Sequence, residues 1–414
     1  MAALQFYDAV ISGNLRSVIE VAARHKFDLN DFFRDFRERD HQGKCPLHVA
    51  ALKGYRDMVR YLIDSGCDVN KQTATLRRTP LHFAVNGRRM DCFRALIAAN
   101  AELNLVDTFG YPALHYAAEH GLTDMLDILI SKGAEIDIQD ITMKTALMKA
   151  VRSLKTQSVK KLLKAACKVN VQNQHGDTAL HFASRMGACE MIRLLIESGA
   201  EPNVENNWGQ TPLMEAVNYN RSEAVKRLVD LGCDVNTRNQ SKGEIALHAA
   251  MRKNHTAIVR ILLEAGSRAD ILNHQGVSPA FEIAAHNYVD TLKVLIKLNY
   301  DLDTPGRTSG PAGPLQVTET LYQIASRAGH LEICGLLAQY NCDSFWIRDG
   351  NVAHEQYTSV TKPMSWLNVS GPLQSCCRKS IRKVLGRNIF TSVKELPLPK
   401  SIQDFVCAGE LCLD

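Results

Sequence analysis

Apolar residues along most of this chain recur in pairs of short helical patterns, each pair closed by a polar loop. Segments such as "MIRLLIESG" and "IVRILLEAG" carry the 3.6-residue spacing of a helix with one buried face. Each is preceded by a shorter phrase: "CPLHVAALKG", "TPLHFAVNGR", "PALHYAAEHG", "TALMKAVRSL", "TALHFASRMG", "TPLMEAVNYN" and "IALHAAMRKN" are variants of one pattern. Their leucines, Leu47, Leu81, Leu114, Leu147, Leu180, Leu213 and Leu247, stand at steps of 34, 33, 33, 33, 33 and 34. Weaker copies put Phe6, Ala280 and Leu321 in the same register, which makes ten units. A second phrase closes each unit with a small residue at Cys67, Ala101, Ala134, Cys167, Ala200, Cys233 and Ser267. Two signals sharing one period define a repeat array.

Each unit has a physical reading. Thr or Ser caps a short helix and Pro is tolerated in its first turn. Leu and the paired small residues bury one narrow face. A Gly or Asn breaks the chain before a second helix, and a Gly near that helix's end takes a left-handed conformation. The next segment turns out into a hairpin-like loop. One unit cannot bury its own core, so the units must stack.

This pattern resembles the ankyrin repeat over roughly residues 1–343. The expected fold is therefore all-α, an α-solenoid of about ten repeats with hairpin-like loops. Two insertions, near 31–43 and 304–317, fall where loops between units belong, and extra residues there cost little. The Gly/Pro-rich second insertion reads as a flexible loop.

The register assigns residues that would otherwise suggest chemistry. His48, His82, His115, His181 and His248 share one place in the first phrase and read as buried, hydrogen-bonded scaffold groups rather than metal ligands or catalysts. Cys67, Cys167, Cys233 and Cys342 read as packed thiols, and Met148 and Met214 as core. There is no nucleotide-binding loop, nucleophile elbow or HExxH motif, so the reading is non-enzymatic, without metal or cofactor.

Composition changes this picture little. Hydrophobic residues make up 45% and charged residues 22% of 414 positions, with a net charge of +5. That charge is too mild to imply nucleic acid or membrane binding. No stretch approaches the roughly 20 apolar residues that span a bilayer, and "MAALQFYDAV" resembles neither a secretory signal nor a myristoylation site. Twelve cysteines without a paired framework read as reduced thiols. The expected location is cytoplasmic, and also nuclear.

A stacked array offers a long surface of loop tips and first-helix ends, and such surfaces bind proteins. The register nominates Arg77, Arg78, Arg88, Phe109, Tyr111, Arg185, Trp208 and Tyr219 as substrate-binding candidates, because aromatic and arginine side chains anchor interfaces. Arg77, Arg78, Arg88 and Arg89, with Lys53 and Arg56 in the unit before, hint at an acidic partner.

From Pro372 the pattern changes. Leu373, Cys377, Ile381 and Leu385 fall at steps of four and form one apolar stripe, with Arg378, Lys379, Arg382 and Lys383 opposite. Leu396-Pro397-Leu398-Pro399 cannot continue that helix. A last short pattern presents Ile402, Phe405 and Val406. A nuclear-import patch, a plain end cap, or a zinc site at Cys376, Cys377, Cys407 and Cys412 are alternative readings of this tail, and the cysteine spacing does not suit structural zinc.

The tail resembles a SOCS box, with Pro372, Leu373, Cys377 and Ile381 matching its first element and Leu396, Pro397, Leu398 and Pro399 its second. The chain thus resembles the ankyrin-repeat and SOCS-box family, divided as 1–343 array, 344–369 packed connector and 370–414 SOCS box of three small helices. The resemblance implies that the first element docks on elongin C, which comes with elongin B. It implies that the second selects cullin-5 and its RING partner, and that the ankyrin surface holds an unknown protein substrate. The alternative is a non-catalytic ankyrin scaffold or inhibitor whose tail only caps the array.

Overall fold

The structure, a computed structural model, describes residues 2–25, 29–31, 43–298, 300, 302, 306–309 and 316–339. Most of the insertion at 31–43, the connector at 344–369 and the SOCS-like tail at 370–414 lie outside the described residues, as does Cys342. No described helix is long and apolar enough to cross a membrane.

The chain divides into two compact units, with the boundary between Trp208 and Gly209. The sequence reading has one array over 1–343. In a stack where each repeat touches only its neighbours there is no single shared core, so a division can fall between any two repeats.

The first unit holds six helix pairs among its described residues: α1 (Ala2–Ser12) and α2 (Leu15–Arg24), α3 (Pro46–Lys53) and α4 (Arg56–Asp64), α5 (Pro80–Asn86) and α6 (Met90–Ala98), α7 (Ala113–His120) and α8 (Thr123–Ser131), α9 (Ala146–Arg152) and α10 (Thr156–Lys164), α11 (Ala179–Met186) and α12 (Cys189–Glu197). Each helix packs on its pair-mate. The first helices also stack in order, α1 on α3, α5, α7, α9 and α11. The second unit repeats the plan with α13 (Pro212–Asn218) and α14 (Ser222–Asp230), α15 (Ala246–Arg252) and α16 (Thr256–Glu264), α17 (Phe281–His286) and α18 (Val289–Lys297), then α19 (Leu321–Arg327) and α20 (Leu331–Gln339).

The described helices form where the repeated phrase puts them. Leu47, Leu81, Leu114, Leu147, Leu180 and the paired alanines are buried, as are Met148 and Met214. Thr79 caps α5, accepting from the His82 amide, with Pro80 in the first turn. Gly54, Gly121 and Gly187 end α3, α7 and α11 in the left-handed region. At the second-helix ends Gly66, Gly133 and Gly199 have φ of 88°, 86° and 88°, while Ala166 takes the same turn at 56°.

The described array is helical as expected, with one short strand pair in an insertion. Inside the 304–317 insertion and just beyond it, β1 (Gly306–Ser309) pairs antiparallel with β2 (Gln316–Glu319). The sequence reading took this insertion as a flexible loop and did not anticipate the strands. Residues 310–315 between them lie outside the described residues.

The repeated histidines tie each unit to the next. The Cys45 amide donates to His48 Nδ1 at 2.9 Å, and His48 Nε2 donates to the Lys71 carbonyl at 2.7 Å. His82 repeats this with the Thr79 amide at 3.1 Å and the Tyr111 carbonyl at 2.8 Å, and His248 with Ile245 at 3.1 Å and Val277 at 3.2 Å. An amide donating to Nδ1 fixes the neutral, Nε2-protonated tautomer. His115 reaches the Lys144 carbonyl at 3.1 Å, but its Nδ1 lacks a partner. The physical cause is Pro112 at the helix cap, which has no N–H to give.

Candidate interaction surface

The hairpin tips of the first unit are joined by a backbone ladder. Ala74 donates to the Gly43 carbonyl, Thr108 to Leu76, Ile141 to Phe109, Gln174 to Thr142 and Asn207 to His175, over 2.9–3.1 Å. Each rung holds one tip beside the next, so side chains at equivalent positions form a row.

A buried Thr, Asp or Asn at the base pins each of these tips; at the first, Thr73 Oγ1 accepts from the Arg78 amide at 2.9 Å. Asp107 Oδ1 accepts from the Phe109 amide at 2.8 Å and the Tyr111 amide at 3.0 Å. Asp140 Oδ1 does the same for Thr142 at 2.7 Å and Lys144 at 2.9 Å, and Asn173 for His175 at 2.8 Å and Asp177 at 2.9 Å. Asn206 takes the Trp208 amide at 3.0 Å.

The two aspartates are full charges where later repeats have asparagine, and each has a cation. Arg78 Nε lies 3.3 Å from Asp107 Oδ2, and its Nη2 donates to the Tyr116 hydroxyl at 2.6 Å. The Tyr116 hydroxyl in turn donates to Asp107 at 2.6 Å. Lys149 lies 3.0 Å from Asp140 Oδ2, sits 3.8 Å from the Tyr111 ring centre and donates to the Tyr111 hydroxyl. Burial pushes both carboxyls up, but it is outweighed. Tyr116, the Tyr111 and Phe109 amides and Arg78 hold Asp107 below the usual carboxylate range. Thr142, the Lys144 amide and Lys149 do so for Asp140. Buried charges paired this way are structural pins rather than reactive groups.

The pinned tips present apolar side chains to solvent. Phe109 is 43% exposed, Ile141 66% and Trp208 55%, with Leu76 and Met143 exposed beside them. Trp208 stacks on His175 at 5.1 Å between ring centres. Exposed apolar residues in a row mark an interaction surface more than scattered ones do.

The sequence candidates therefore separate into two groups. Phe109, Trp208, Arg77 and Arg88 lie exposed in the first unit, and Tyr219 lies exposed in the second. Arg78, Tyr111 and Arg185 are engaged within the array, Arg185 with Asp177 at 3.2 Å. Sequence reasoning missed Leu76, Ile141, Met143, Leu154 and Met186. The signal for the tip residues was the repeat spacing itself: Leu76, Phe109, His175 and Trp208 share one register position, with Ile141 and Met143 flanking it in their own repeat.

Three buried thiols are held far from reactivity. Burial pushes Cys167 and Cys233 up to about 12 and Cys45 to about 11, far from thiolate reactivity. Among the described residues, no group of His, Cys, Asp or Glu is arranged to hold a metal ion. The proposed docking residues Pro372, Leu373, Cys377, Ile381, Leu396, Pro397, Leu398 and Pro399 lie outside the described residues.

Comparison with known proteins follows the same division. The family model "Ankyrin repeats (3 copies)" matches residues 6–73, 72–140, 147–239 and 213–306, and the model "SOCS box" matches 371–407. Ankyrin repeat and SOCS box protein 11 of Homo sapiens is 29% identical over 167 residues, 39% of this chain and 48% of that protein. The NF-kappa-B inhibitor cactus of Drosophila melanogaster is 35% identical over 80 residues, 19% of this chain and 16% of its own. The chain spans about half or less of the length of these curated relatives. The crystal structure of the human ASB11 ankyrin repeat domain aligns at a TM-score of 0.48 and 27% identity, covering 54% of this chain and 99% of that one. With ankyrin models across most of its length and a SOCS box after them, the chain belongs to the ankyrin-repeat and SOCS-box family.

Proposed function

We propose that this protein is the substrate-recognition subunit of a ubiquitin ligase built on elongin C, elongin B, cullin-5 and the RING partner of cullin-5. The observation that carries the reading is the order of modules on one chain, an ankyrin array followed by a SOCS box at 371–407. In this reading Leu373 enters an apolar pocket of elongin C with Cys377 packing beside it. Full burial of such a leucine is worth about 1.5–3 kcal/mol. Leu396-Pro397-Leu398-Pro399 selects the cullin.

The ankyrin part holds the substrate on the row of exposed hairpin tips. Its contribution to ubiquitin transfer is proximity, because a tethered lysine meets the charged ligase at a raised effective concentration. The isopeptide chemistry belongs to the partners, and the protein acts in the cytoplasm and nucleus.

The two docking elements separate in one experiment. Replacing Leu396 and Pro397 with alanine is expected to remove cullin-5 from affinity-purified complexes while elongins B and C remain. Retention of cullin-5 by that variant would overturn the assignment of the second element.

A further inference from the structure

The ends of the first helices and the hairpin tips of the first unit carry more cations than the structure neutralises. Asp107, Asp140, Glu119 and Asp177 are each held by Arg78, Lys149, Arg152 and Arg185. Among the described residues, Lys53, Arg77, Arg88, Arg89, Lys144 and Lys155 make no ion pair.

Two of these cations, Arg88 and Lys155, bear on one histidine across successive repeats. Arg88 follows α5, His120 ends α7, and Lys155 precedes α10. Lys155 reaches back over Gly121: a Cβ there would lie 3.0 Å from Lys155 Cδ. Burial lowers the His120 pKa first, and the charges of Lys155 and Arg88 lower it further against Glu119, so both cations bear on it. His120 Nε2 meets Asn86 Oδ1 at 3.1 Å. Leu154, next to Lys155 in the chain, is half exposed, and Met186 at the end of α11 is exposed.

We propose that Arg88, His120 and Lys155, together with Leu154 and Met186, form a docking strip for an acidic segment of a partner protein that carries apolar residues between its carboxylates. The strip deepens the substrate-receptor reading and rests on it for the partner's identity as a substrate. Positive charge with exposed aliphatic groups suits a mixed acidic and apolar peptide, since each charge steers and each apolar group adds dry contact. Leucine and methionine give a nucleic-acid base no flat ring to stack on, which favours peptide over nucleic acid.

The probe is a displayed random-peptide library panned on the full-length chain, followed by anisotropy measurements with the selected peptides. Selected sequences should be rich in Asp and Glu interleaved with Leu, Met or aromatic residues. Their binding should weaken several-fold between about 50 and 300 mM salt. It should weaken tenfold or more in the folded Arg88→Glu/Lys155→Glu variant, and several-fold in Leu154→Ser, which keeps every charge. Selected peptides without acidic enrichment overturn the proposal. So does unchanged affinity in the charge-reversed variant, or tighter binding of a single-stranded oligonucleotide than of any selected peptide. Elongin recovery is read in the same variants and has its own determinants at Leu373 and Cys377. A failure of the receptor reading shows there, and a failure of the strip shows in peptide affinity.

Discussion

Lys149 and Asp140 meet at 3.0 Å with both side chains 1% exposed, an ion pair wholly inside the array. Asp140 Oδ2 has no other donor, while Oδ1 holds the tip of its hairpin. Removing one partner of such a pair strands a buried charge and costs about 3–5 kcal/mol. Lys149→Met alone should lose stability on that scale in chemical denaturation. The equivalent place to Asp140 is Asn173, Asn206, Asn239 or Asn273 in later repeats, and Asn keeps an acceptor for the same amides without a charge. Asp140→Asn combined with Lys149→Met should therefore recover most of the loss. A double variant as unstable as the single one would contradict this account of the pair.

The scaffold histidines make stability depend on acid. Burial brings His48, His82 and His115 down to about 4 from an ordinary 6.5. Between those values the unfolded chain takes up protons that the folded chain refuses, so stability falls as pH drops below 6.5 and goes on falling through 4. Each histidine accounts for about 3 kcal/mol over the full window. Denaturation midpoints measured from pH 7 to 4 should decline steadily, and a flat profile would contradict the neutral, amide-accepting role of these rings.

Ala166 occupies a left-handed turn at φ 56° that Gly66, Gly133 and Gly199 fill in sister repeats. A Cβ in that region costs about 1–2 kcal/mol, against about 0.5–1 kcal/mol of extra chain entropy for glycine. Ala166→Gly should raise stability by about 0.5–1 kcal/mol. A destabilised variant would show that the Ala166 methyl makes a contact worth more than the strain.

The tips should behave as interface anchors. Phe109→Ala and Trp208→Ala remove exposed rings, so each should leave the melting transition nearly unchanged. Each should cost a captured substrate about 2 kcal/mol or more if it is a hot spot. The readout is substrate recovery under proteasome inhibition, normalised to elongin recovery. Undiminished recovery in the double variant would move the substrate off the tip row.

The helices and their caps were legible in the sequence because every repeat restates them: Leu47 through Leu247 mark the first helix of each pair, and the histidine beside five of those seven leucines announces its own burial. The ion pairs were not legible. Arg78 meets Asp107 across 29 residues, and Lys149 meets Asp140 across a hairpin and a helix cap, so neither shows as a local charge pattern. Arg78 and Tyr111 looked like surface anchors for that reason, since register gives a position along the chain but not what the neighbouring repeat brings against it. The β1–β2 pair escaped because four-residue strands in a Gly/Pro-rich insertion carry too short a pattern to read.

The central claim is that the tail docks the ubiquitin machinery, and the most direct measurement is co-purification of elongins B and C with the full-length chain. The wild type should recover both elongins together with cullin-5. The Leu373→Asp/Cys377→Asp variant should recover none of them while the helical array unfolds at the same midpoint. Equal elongin recovery by wild type and variant would contradict the account.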